Sequence, residues 1–459
     1  MYFSHICLRD CLLWLFIAGA NATVFSQSTI LEPSDFMGHE IGSRFTLHHS
    51  VSDYLGHLHS EVPGSLLIPY GETFEGRPLE LLVLSSPENL RNIEAIRNQH
   101  LNRMEGGTGL AQYDDVAIIW LSYNVHGNEA ACTEAALEVS HRLAHAAVDG
   151  EAFLDQVVIV LDPCLNPDGH DRYAVRFNQS ASNLPNSDPD GYEHDEPWPG
   201  GRPNHYLFDL NRDWAWQKQQ ESQMRSAEYH RWMPHVHCDY HEMGFNSPYY
   251  FAPAAEPYHE AISDWQRSFQ DEIGRTTAEA FDARGERYFT KESFDLLYPS
   301  YGDTYPMFNG AIGMTYEQGG SGGAGVVVQN EEGSLVSLND RIKNHVESSL
   351  LAIYTSAQFS ERLVDEWGAY YDRNRTQPIG NFAGYLIPKT EDNAGRIDLL
   401  VQFLNEHGII SQQIIENQKS VQGYEFGVNQ KRSVKPRTGD LVISSFQTHS
   451  SILDVLFDP

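Results

Sequence analysis

The chain has 459 residues and a formal net charge of −32, and 41% of its residues are hydrophobic and 12% aromatic. This much apolar material can bury a large core, so intrinsic disorder is excluded despite the high charge. The acidic balance also argues against nucleic acid and anionic membranes as partners, because both would repel the bulk surface. The length predicts about two or three domains.

The first 22 residues are typical of an export signal. An apolar stretch from Cys11 to Ala20 leads into a small-x-small site, Ala20-Asn21-Ala22. We therefore expect residues 1–22 to be a signal peptide and the protein to be periplasmic or extracellular. The alternative is a buried N-terminal helix. No other segment approaches the ~20 apolar residues of a membrane span.

The cysteines beyond this segment form no recognisable pattern. Cys132, Cys164 and Cys238 are odd in number, and each lies in an apolar, strand-like context. Neither a disulfide framework nor a C-x-x-C metal motif is present. We predict buried thiols that pack as small hydrophobic side chains.

From about residue 46 to 355, short β-branched runs alternate with longer helical stretches. Strands are expected at 79–85, 116–121, 156–162, 235–240 and 313–316. Helices are expected at 89–102, 130–147, 219–231 and 262–283. Near-continuous apolar strands alternating with helices predict an α/β domain whose mixed, mostly parallel sheet is covered on both faces.

Two irregular stretches interrupt this alternation. Residues 182–206 are rich in Pro, Gly and acidic residues, and a loop of this length is usually functional or mobile. The Gly-rich stretch 319–325 lacks the Lys-Ser/Thr of a P-loop, so a phosphate cradle is not expected.

The C-terminal third predicts an end to this domain and the start of a smaller one. A long helical region at 337–372 is expected to close the domain, and 375–380 is expected to be a linker. The predicted divisions are a catalytic domain at 46–355, a helix and linker at 356–380, and a small α/β appendage at 381–459. We expect the appendage to be the beginning of a second α/β unit that is cut short.

The motif His126-Gly-Asn-Glu129 follows an apolar strand and leads into a helix. Open α/β sheets place their ligand sites at such strand ends. Imidazole nitrogen and carboxylate oxygen are suitable zinc ligands, and a catalytic zinc needs three protein ligands and an open position. His241, at the end of another strand-like run, is the favoured third ligand. His235 and His237 compete with it because period-2 alternation places all three on one face.

Three further motifs follow strands or the long loop. They are Asn166-Pro-Asp-Gly169, the segment 209–214 and Thr315-Tyr-Glu317. A buried acid at a strand end needs a cation or a proton partner, and its pKa is expected to be perturbed as a general base requires. Taken singly, each motif is also compatible with an ordinary turn or a structural ion pair.

In this order, the motifs resemble those of the zinc carboxypeptidases, the family of carboxypeptidase A. That family carries an H-x-x-E pair, an N-P-D-G turn, a D-x-N-R segment, a third histidine at a strand end and a T-x-E strand. The resemblance covers about residues 46–355 and includes the segment 71–77. It implies that family's α/β/α sandwich and one Zn²⁺ per chain.

The resemblance also implies a role for each matching residue at the metal. His126, Glu129 and His241 would bind zinc and leave a fourth position for water. Asp209 would hydrogen-bond a liganding imidazole and so select its tautomer.

The remaining matches imply how a substrate is bound and cleaved. Glu317 would be the general base that takes a proton from water and delivers it to the leaving amine. Asn211 and Arg212 would bind the terminal carboxylate, which a planar guanidinium can grip with two hydrogen bonds.

Two family roles stay open. The arginine that polarises the scissile carbonyl is either Arg172 or Arg176, since both follow the N-P-D-G motif at suitable distances. The mobile tyrosine near the catalytic glutamate is assigned to Tyr298, with Tyr301 and Tyr305 as rivals. A side-chain specificity position falls near Gly302 or Asp303. An Asp303 in that pocket would favour a basic C-terminal residue, and the alternative is a turn residue.

The resulting hypothesis is an exported zinc metallocarboxypeptidase that acts on peptides with a free C-terminal carboxylate. A second hypothesis keeps the zinc site but changes the substrate to bacterial cell-wall peptides or N-acyl amino acids. A third, a non-catalytic binding module, predicts gaps in the catalytic set, and the sequence shows none. The oligomeric state and the preferred C-terminal residue stay open.

Overall fold

The computed structural model describes residues 30–107, 113 and 115–458. The expected signal peptide, residues 1–22, lies outside these described residues. In the ranges that are described, no helix combines the length and the apolar character needed to cross a bilayer. Cys132, Cys164 and Cys238 are buried and free, which confirms the prediction of packed thiols.

A mixed sheet of eight strands forms the centre of the molecule. The strands up to residue 337 are β1 (Leu66–Glu72), β2 (Pro78–Leu84), β3 (Ala117–Tyr123), β4 (Val157–Asp162), β5 (Val236–Gly244), β6 (Tyr249–Tyr250), β7 (Ala255–Tyr258), β8 (Tyr288–Phe289), β9 (Asp295–Leu296), β10 (Ile312–Gly320), β11 (Val327–Gln329) and β12 (Leu335–Ser337). The order in the central sheet is β1-β2-β4-β3-β5-β10-β6-β8.

The middle of this sheet is parallel. Strands β4, β3, β5 and β10 run parallel to one another, whereas β1 and β2 form an antiparallel hairpin and β6 pairs antiparallel with β10. Every residue of β3 and of β4 is buried, as expected for parallel strands covered on both faces. The predicted α/β class with a mixed, mostly parallel sheet is therefore confirmed.

Helices cover both faces of the sheet. They are α1 (Pro33–Met37), α2 (His48–Glu61), α3 (Pro87–Arg91), α4 (Ile93–Met104), α5 (Ala131–Asp149), α6 (Pro167–Ser180), α7 (Gln220–Trp232), α8 (Asp264–Arg284), α9 (Thr304–Phe308), α10 (Leu338–Gln358) and α11 (Ser360–Thr376). Helices α2, α5, α8 and α10 share one apolar cluster with the sheet, and α4, α7 and α11 share the other. The layers form an α/β/α sandwich.

The helices differ from the predictions in detail. The helix expected at 89–102 is two helices, and the helical region at 337–372 divides at Phe359 into α10 and α11. The motif Asn166-Pro-Asp-Gly169 begins α6 instead of forming only a turn. Asn166 caps this helix by accepting from the backbone N–H of Gly169 at 3.0 Å, and proline occupies the first helical position.

The elements between residues 384 and 457 form a smaller group after α11, which we call the C-terminal unit. Its elements are β13 (Gly384–Ile387), α12 (Ala394–Glu406), β14 (Ser411–Gln413), β15 (Val421–Glu425), β16 (Gln430–Val434), β17 (Leu441–Ser444) and α13 (Ser450–Phe457). A three-stranded antiparallel sheet, β13-β17-β14, lies beside the hairpin β15–β16. Its apolar residues continue the cluster that contains α4, α7 and α11.

The parallel strands place the candidate functional side chains at one edge of the sheet. Strand β3 ends just before His126, and the carboxyl halves of β5 and β10 carry His241 and Glu317. His241 and Glu317 are direct neighbours in the β5–β10 register. Because parallel strands end on the same side, the three motifs meet at one point.

Candidate metal centre and active site

The loop between β3 and α5 positions the first two candidate ligands. Asn124 has a positive φ of 59°, and its side-chain amide donates to the carbonyl groups of Gly127 and Glu129 at 3.3 and 3.0 Å. The short loop is therefore fixed at both ends. It places His126 Nδ1 2.8 Å from Glu129 Oε1, with both side chains buried.

Strand β5 supplies the third candidate ligand. His241 Nδ1 lies 3.0 Å from the other oxygen of Glu129 and 3.3 Å from His126 Nδ1. Two imidazole lone pairs this close repel each other unless a cation or a proton lies between them. One ligand atom from each of the three residues lies within 4.8 Å of the others. Two imidazole nitrogens and a carboxylate are a donor set that fits zinc.

Each imidazole is held from behind by a different carboxylate. His126 Nε2 lies 3.0 Å from Asp209 Oδ1, and His241 Nε2 lies 2.7 Å from Asp239 Oδ2. A carboxylate only accepts, so each Nε2 carries a proton and donates it. In the neutral imidazole this leaves the Nδ1 lone pair facing Glu129, which is the tautomer that metal ligation requires.

The charges in this cluster oppose the cost of burial. Burial disfavours the ionised form of Glu129, but the imidazoles of His126 and His241 outweigh it and hold its pKa below the ordinary value. For Asp209, burial is likewise outweighed by the hydrogen bond from His126 and by Arg202 and Arg212, so its pKa is also lowered. Both carboxylates are therefore anionic near neutral pH.

Glu317 faces the same cavity but behaves differently. The residue is partly buried, its Oε2 is inaccessible to solvent, and among the described residues that atom has no hydrogen-bond partner. Burial and the nearby carboxylates of Glu129 and Asp239 raise the pKa of Glu317 to about 8, although His241 opposes the shift. A bound cation would also oppose it. An unpaired carboxyl group beside the candidate ligands is suited to accept and release a proton.

Besides the candidate ligands, three residues with hydrogen-bond donors line the cavity. The cavity has a volume of about 380 Å³ and is lined by Arg202, Arg212 and Asn211 as well as the candidate ligands and Glu317. The Arg212 guanidinium lies 4.5 Å from the centre of the Tyr301 ring, and its side chain is about half exposed. The Asn211 amide oxygen accepts from the backbone N–H of Gly302 at 2.7 Å.

The structure places the two arginines proposed for carbonyl polarisation outside this cavity. The Arg172 guanidinium donates to the carbonyl groups of Gly200 and Asn204 and so fastens the long loop. Arg176 instead lies over the ring of Tyr192, with its guanidinium carbon 4.3 Å from the ring centre. Neither side chain lines the cavity.

Arg202 does line the cavity, and the sequence did not single it out. Its guanidinium lies 3.3 Å from Glu129 Oε1 and 3.1 Å from Asp209 Oδ2. It comes from the Pro-Gly-rich end of the loop 182–206, far along the chain from the N-P-D-G motif. Only the length and composition of that loop pointed to a functional role.

The three candidate tyrosines also differ in their position relative to the cavity. Tyr301 lines the cavity, whereas the Tyr298 hydroxyl accepts from the indole N–H of Trp216 at 2.8 Å and Tyr305 is buried in the core. Tyr298 contacts Tyr301 edge to face. Tyr298, the residue assigned from sequence, therefore lies next to the cavity, whereas Tyr301 lines it.

Neither rival histidine, His235 just before β5 or His237 within it, reaches the candidate ligands. His235 Nδ1 accepts from the backbone N–H of Ile118 at 2.8 Å, and within the described part of the chain His237 has no hydrogen-bond partner. Asp239 shares their face of the strand, since side chains alternate with a period of two. The D-x-H spacing of Asp239 and His241 is the sequence signal that identifies this second carboxylate.

A second group of possible ligands is explained by an ion pair. Glu75, Asp168 and His205 also lie close together. However, the Arg77 guanidinium lies 2.5 Å from Glu75 and 2.7 Å from Asp168, so the carboxylates already have a cation. This group fastens the β1–β2 turn to the start of α6.

Comparison with known proteins gives a family match and weaker structural likenesses. Residues 51–278 match the model of the zinc carboxypeptidase family. No curated protein matches the chain.

Two solved structures illustrate the likenesses. A putative carboxypeptidase A from Shewanella denitrificans OS-217 is 16% identical with a TM-score of 0.46, over 68% of this chain and 70% of that one. Carboxypeptidase A from Helicoverpa armigera is 16% identical with a TM-score of 0.45, over 72% of this chain and 80% of that one.

Proposed function

Because residues 51–278 place this chain in the zinc carboxypeptidase family, we propose that it removes C-terminal residues from peptides with Glu317 as the general base. The observation that supports this most directly is the meeting of His126, Glu129 and His241 with Glu317 in one cavity. We further propose one zinc ion per chain at these three ligands.

The chain's own residues divide the chemistry between them. Zinc, when bound, supplies a Lewis acid that polarises the scissile carbonyl and lowers the pKa of water. Glu317 accepts the proton of the attacking water at its unpaired carboxyl oxygen and later donates it to the leaving amine. Solvent does not reach its Oε2 atom, so bulk water is kept from that proton.

The two arginines of the cavity bind the two anionic groups of the reaction. Arg212, together with Asn211, binds the terminal carboxylate of the substrate. Arg202 lies against the candidate metal ligand Glu129, so its guanidinium can face the oxygen of the scissile carbonyl, where negative charge develops. Tyr301, which stacks on Arg212, covers the terminal residue. Arg202 and Tyr301 therefore replace Arg172, Arg176 and Tyr298 in our proposal.

Asp303 is the candidate determinant of side-chain preference. It lines the cavity, and its carboxylate accepts from the hydroxyl groups of Thr304 and Thr315 at 2.9 Å each. Burial raises its pKa to about 6, so it is mostly anionic at pH 7.5. We expect C-terminal lysine to be favoured over phenylalanine. Equal turnover of the two substrates would refute this preference.

The domain organisation and location follow from the same proposal. Residues 46–355 would form the catalytic domain, 356–380 a helix and linker, and 381–459 the appendage. Export through residues 1–22 would bring the enzyme to peptides outside the cytoplasm. Mass spectrometry of the N-terminus of the mature protein tests the export step, with cleavage after Ala22 as the expected result.

A paired assay tests the proposed activity. A peptide with a free C-terminus and the same peptide with a C-terminal amide are incubated with zinc-loaded wild type and with Glu317→Gln. We expect stepwise shortening of the free peptide only, and a loss of at least about 10³-fold in kcat for the variant with zinc still bound. Wild-type turnover by Glu317→Gln would refute the mechanism.

The same assay separates the rival substrates. A muropeptide and an N-acyl amino acid also carry a free carboxylate, so Arg212 would accept them as well. Chromatographic analysis of all three substrates at equal concentration ranks their kcat/KM values. Exclusive turnover of the muropeptide or of the N-acyl amino acid would replace the peptide substrate in the proposal.

A further inference from the structure

Several side chains of the C-terminal unit contact the catalytic domain, and His407 is the one that reaches the segment after Arg212 through a hydrogen bond. His407 follows α12 and is fully buried. Its Nε2 lies 2.8 Å from the carbonyl oxygen of Ala215, and its Nδ1 lies 3.0 Å from the hydroxyl of Tyr305. Both partners belong to the catalytic domain, and Ala215 is three residues beyond Arg212.

The protonation of His407 is determined by its neighbours. A carbonyl oxygen only accepts, so Nε2 carries the proton and donates to Ala215. Burial lowers the pKa of His407 to about 3, so the ring is neutral and Nδ1 is an acceptor. Tyr305 therefore donates to Nδ1, and its oxygen is free to accept from His230 Nε2 at 3.1 Å. The donor and the acceptor of each of these hydrogen bonds are therefore determined.

The contact continues from Ala215 to the substrate clamp. The backbone N–H of Ala215 donates to the Ser300 hydroxyl at 3.0 Å, and that hydroxyl donates to the carbonyl oxygen of Arg212 at 2.9 Å. Three hydrogen bonds thus join His407 to the backbone of Arg212. Ser300 is also the neighbour of Tyr301, the ring on which the Arg212 guanidinium stacks.

From this chain of contacts we propose that His407 is a positioning residue for the substrate's terminal carboxylate. The C-terminal unit then completes the catalytic domain by fixing the segment that carries Arg212, and it is not an independent binding module. The inference rests on the proposed carboxypeptidase function, because Arg212 has a substrate to position only in that reaction.

Two substitutions of His407 separate its two hydrogen bonds. The amide nitrogen of glutamine can replace Nε2 and keep the donor to Ala215, whereas asparagine can replace only Nδ1 and accept from Tyr305. We expect His407→Asn to raise KM about fivefold to tenfold, the effect of one lost hydrogen bond, with kcat changed less than twofold. His407→Gln should restore KM to within about twofold of wild type.

Leu404→Ala is the matched control for general damage to the C-terminal unit. Leu404 is buried in α12, the helix that His407 follows, and its truncation leaves a cavity without removing the bond to Ala215. It should lower Tm at least as much as His407→Asn and leave KM unchanged. An equal rise in KM for Leu404→Ala and His407→Asn would overturn the inference, and so would an unchanged KM in His407→Asn.

The assay uses the full-length enzyme and a peptide with a free C-terminus. Wild type without any carboxypeptidase turnover would refute the proposed function itself. Active wild type with no difference between the asparagine and glutamine variants would refute only the role of His407. The two failures are therefore distinguishable in one experiment.

Discussion

Each imidazole at the candidate metal centre is hydrogen-bonded to an aspartate, but the two aspartates differ in their exposure to solvent. Asp209 holds His126 from a loop, with 27% of its side chain exposed and with Arg202 and Arg212 nearby. Asp239 holds His241 from the same strand, with 1% of its side chain exposed. A buried hydrogen bond to a charged group is stronger than an exposed one because water cannot screen or replace it.

This difference suggests that the two pairs perform different tasks. The strand-borne pair has little freedom, since the β5 backbone sets both side chains and Gly302 packs against Asp239. In the loop-borne pair, Asp209 contacts Arg202 and Arg212, so it is linked to the substrate groups that we propose those arginines bind. We therefore expect Asp239 to determine metal affinity and Asp209 to connect metal binding with substrate binding.

The largest effect is expected from Asp239→Asn. Asparagine keeps an acceptor for His241 but removes the charge and buries an amide group without a partner. We expect zinc affinity to fall about 100-fold, the upper end for residues that orient a ligand. Competition with a chromophoric chelator measures it. An affinity within about twofold of wild type would remove the distinction between the pairs.

Asp209→Asn tests the other side of the comparison. Water can reach this partly exposed position, so we expect only about a tenfold loss of zinc affinity. KM for a free-carboxylate peptide should rise as well, because Arg202 and Arg212 lose an anchoring carboxylate. Steady-state kinetics at saturating zinc isolates that effect. A larger loss of zinc affinity than in Asp239→Asn would reverse the assignment.

Gly302→Ala perturbs the buried pair without changing its chemistry. A Cβ atom at this position would lie 2.0 Å from Asp239 Oδ2 and 3.0 Å from Trp214 Nε1, so the carboxylate must move. We expect about a fivefold loss of zinc affinity, smaller than in Asp239→Asn because the charge is kept. Gly244→Ala, where a Cβ meets nothing within 4 Å, is the matched control. Equal losses in both variants would contradict the contact.

The smallest expected effect concerns the net charge of −32. The arginines of the cavity form a local positive region inside a repulsive field, and salt screens that field over about 10 Å at 0.1 M. We expect added NaCl to raise kcat/KM for acidic peptides by about twofold and to leave zinc affinity, which depends on the buried pair, unchanged. A fall in kcat/KM would mean that the field of the cavity dominates.

The strand ends explain what the sequence could predict about this site. The residues singled out at strand ends, His126, Glu129, His241 and Glu317, meet in one cavity because parallel order fixes where strands end. Arg202 could not be found in this way, since its position depends on how a long loop folds back over the sheet. The same holds for His407, whose partner Ala215 is 192 residues away along the chain.

Local chemistry explains the fold boundaries that were missed. The N-P-D-G motif is read equally well as a turn and as a helix start, and only the cap formed by Asn166 decides between them. The hairpin strand β1 lacks a clear alternation of buried and exposed residues, so its sequence carries little strand signal.

The most direct test combines metal analysis with a peptide-ladder assay on the purified full-length protein. The account predicts one zinc ion per chain, stepwise release of residues from the free C-terminus, and no cleavage of the matching C-terminal amide. It also predicts that a chelator abolishes the release and that zinc restores it. Protein that carries no zinc after zinc loading, or that cleaves the amidated peptide at the same rate, would contradict the account.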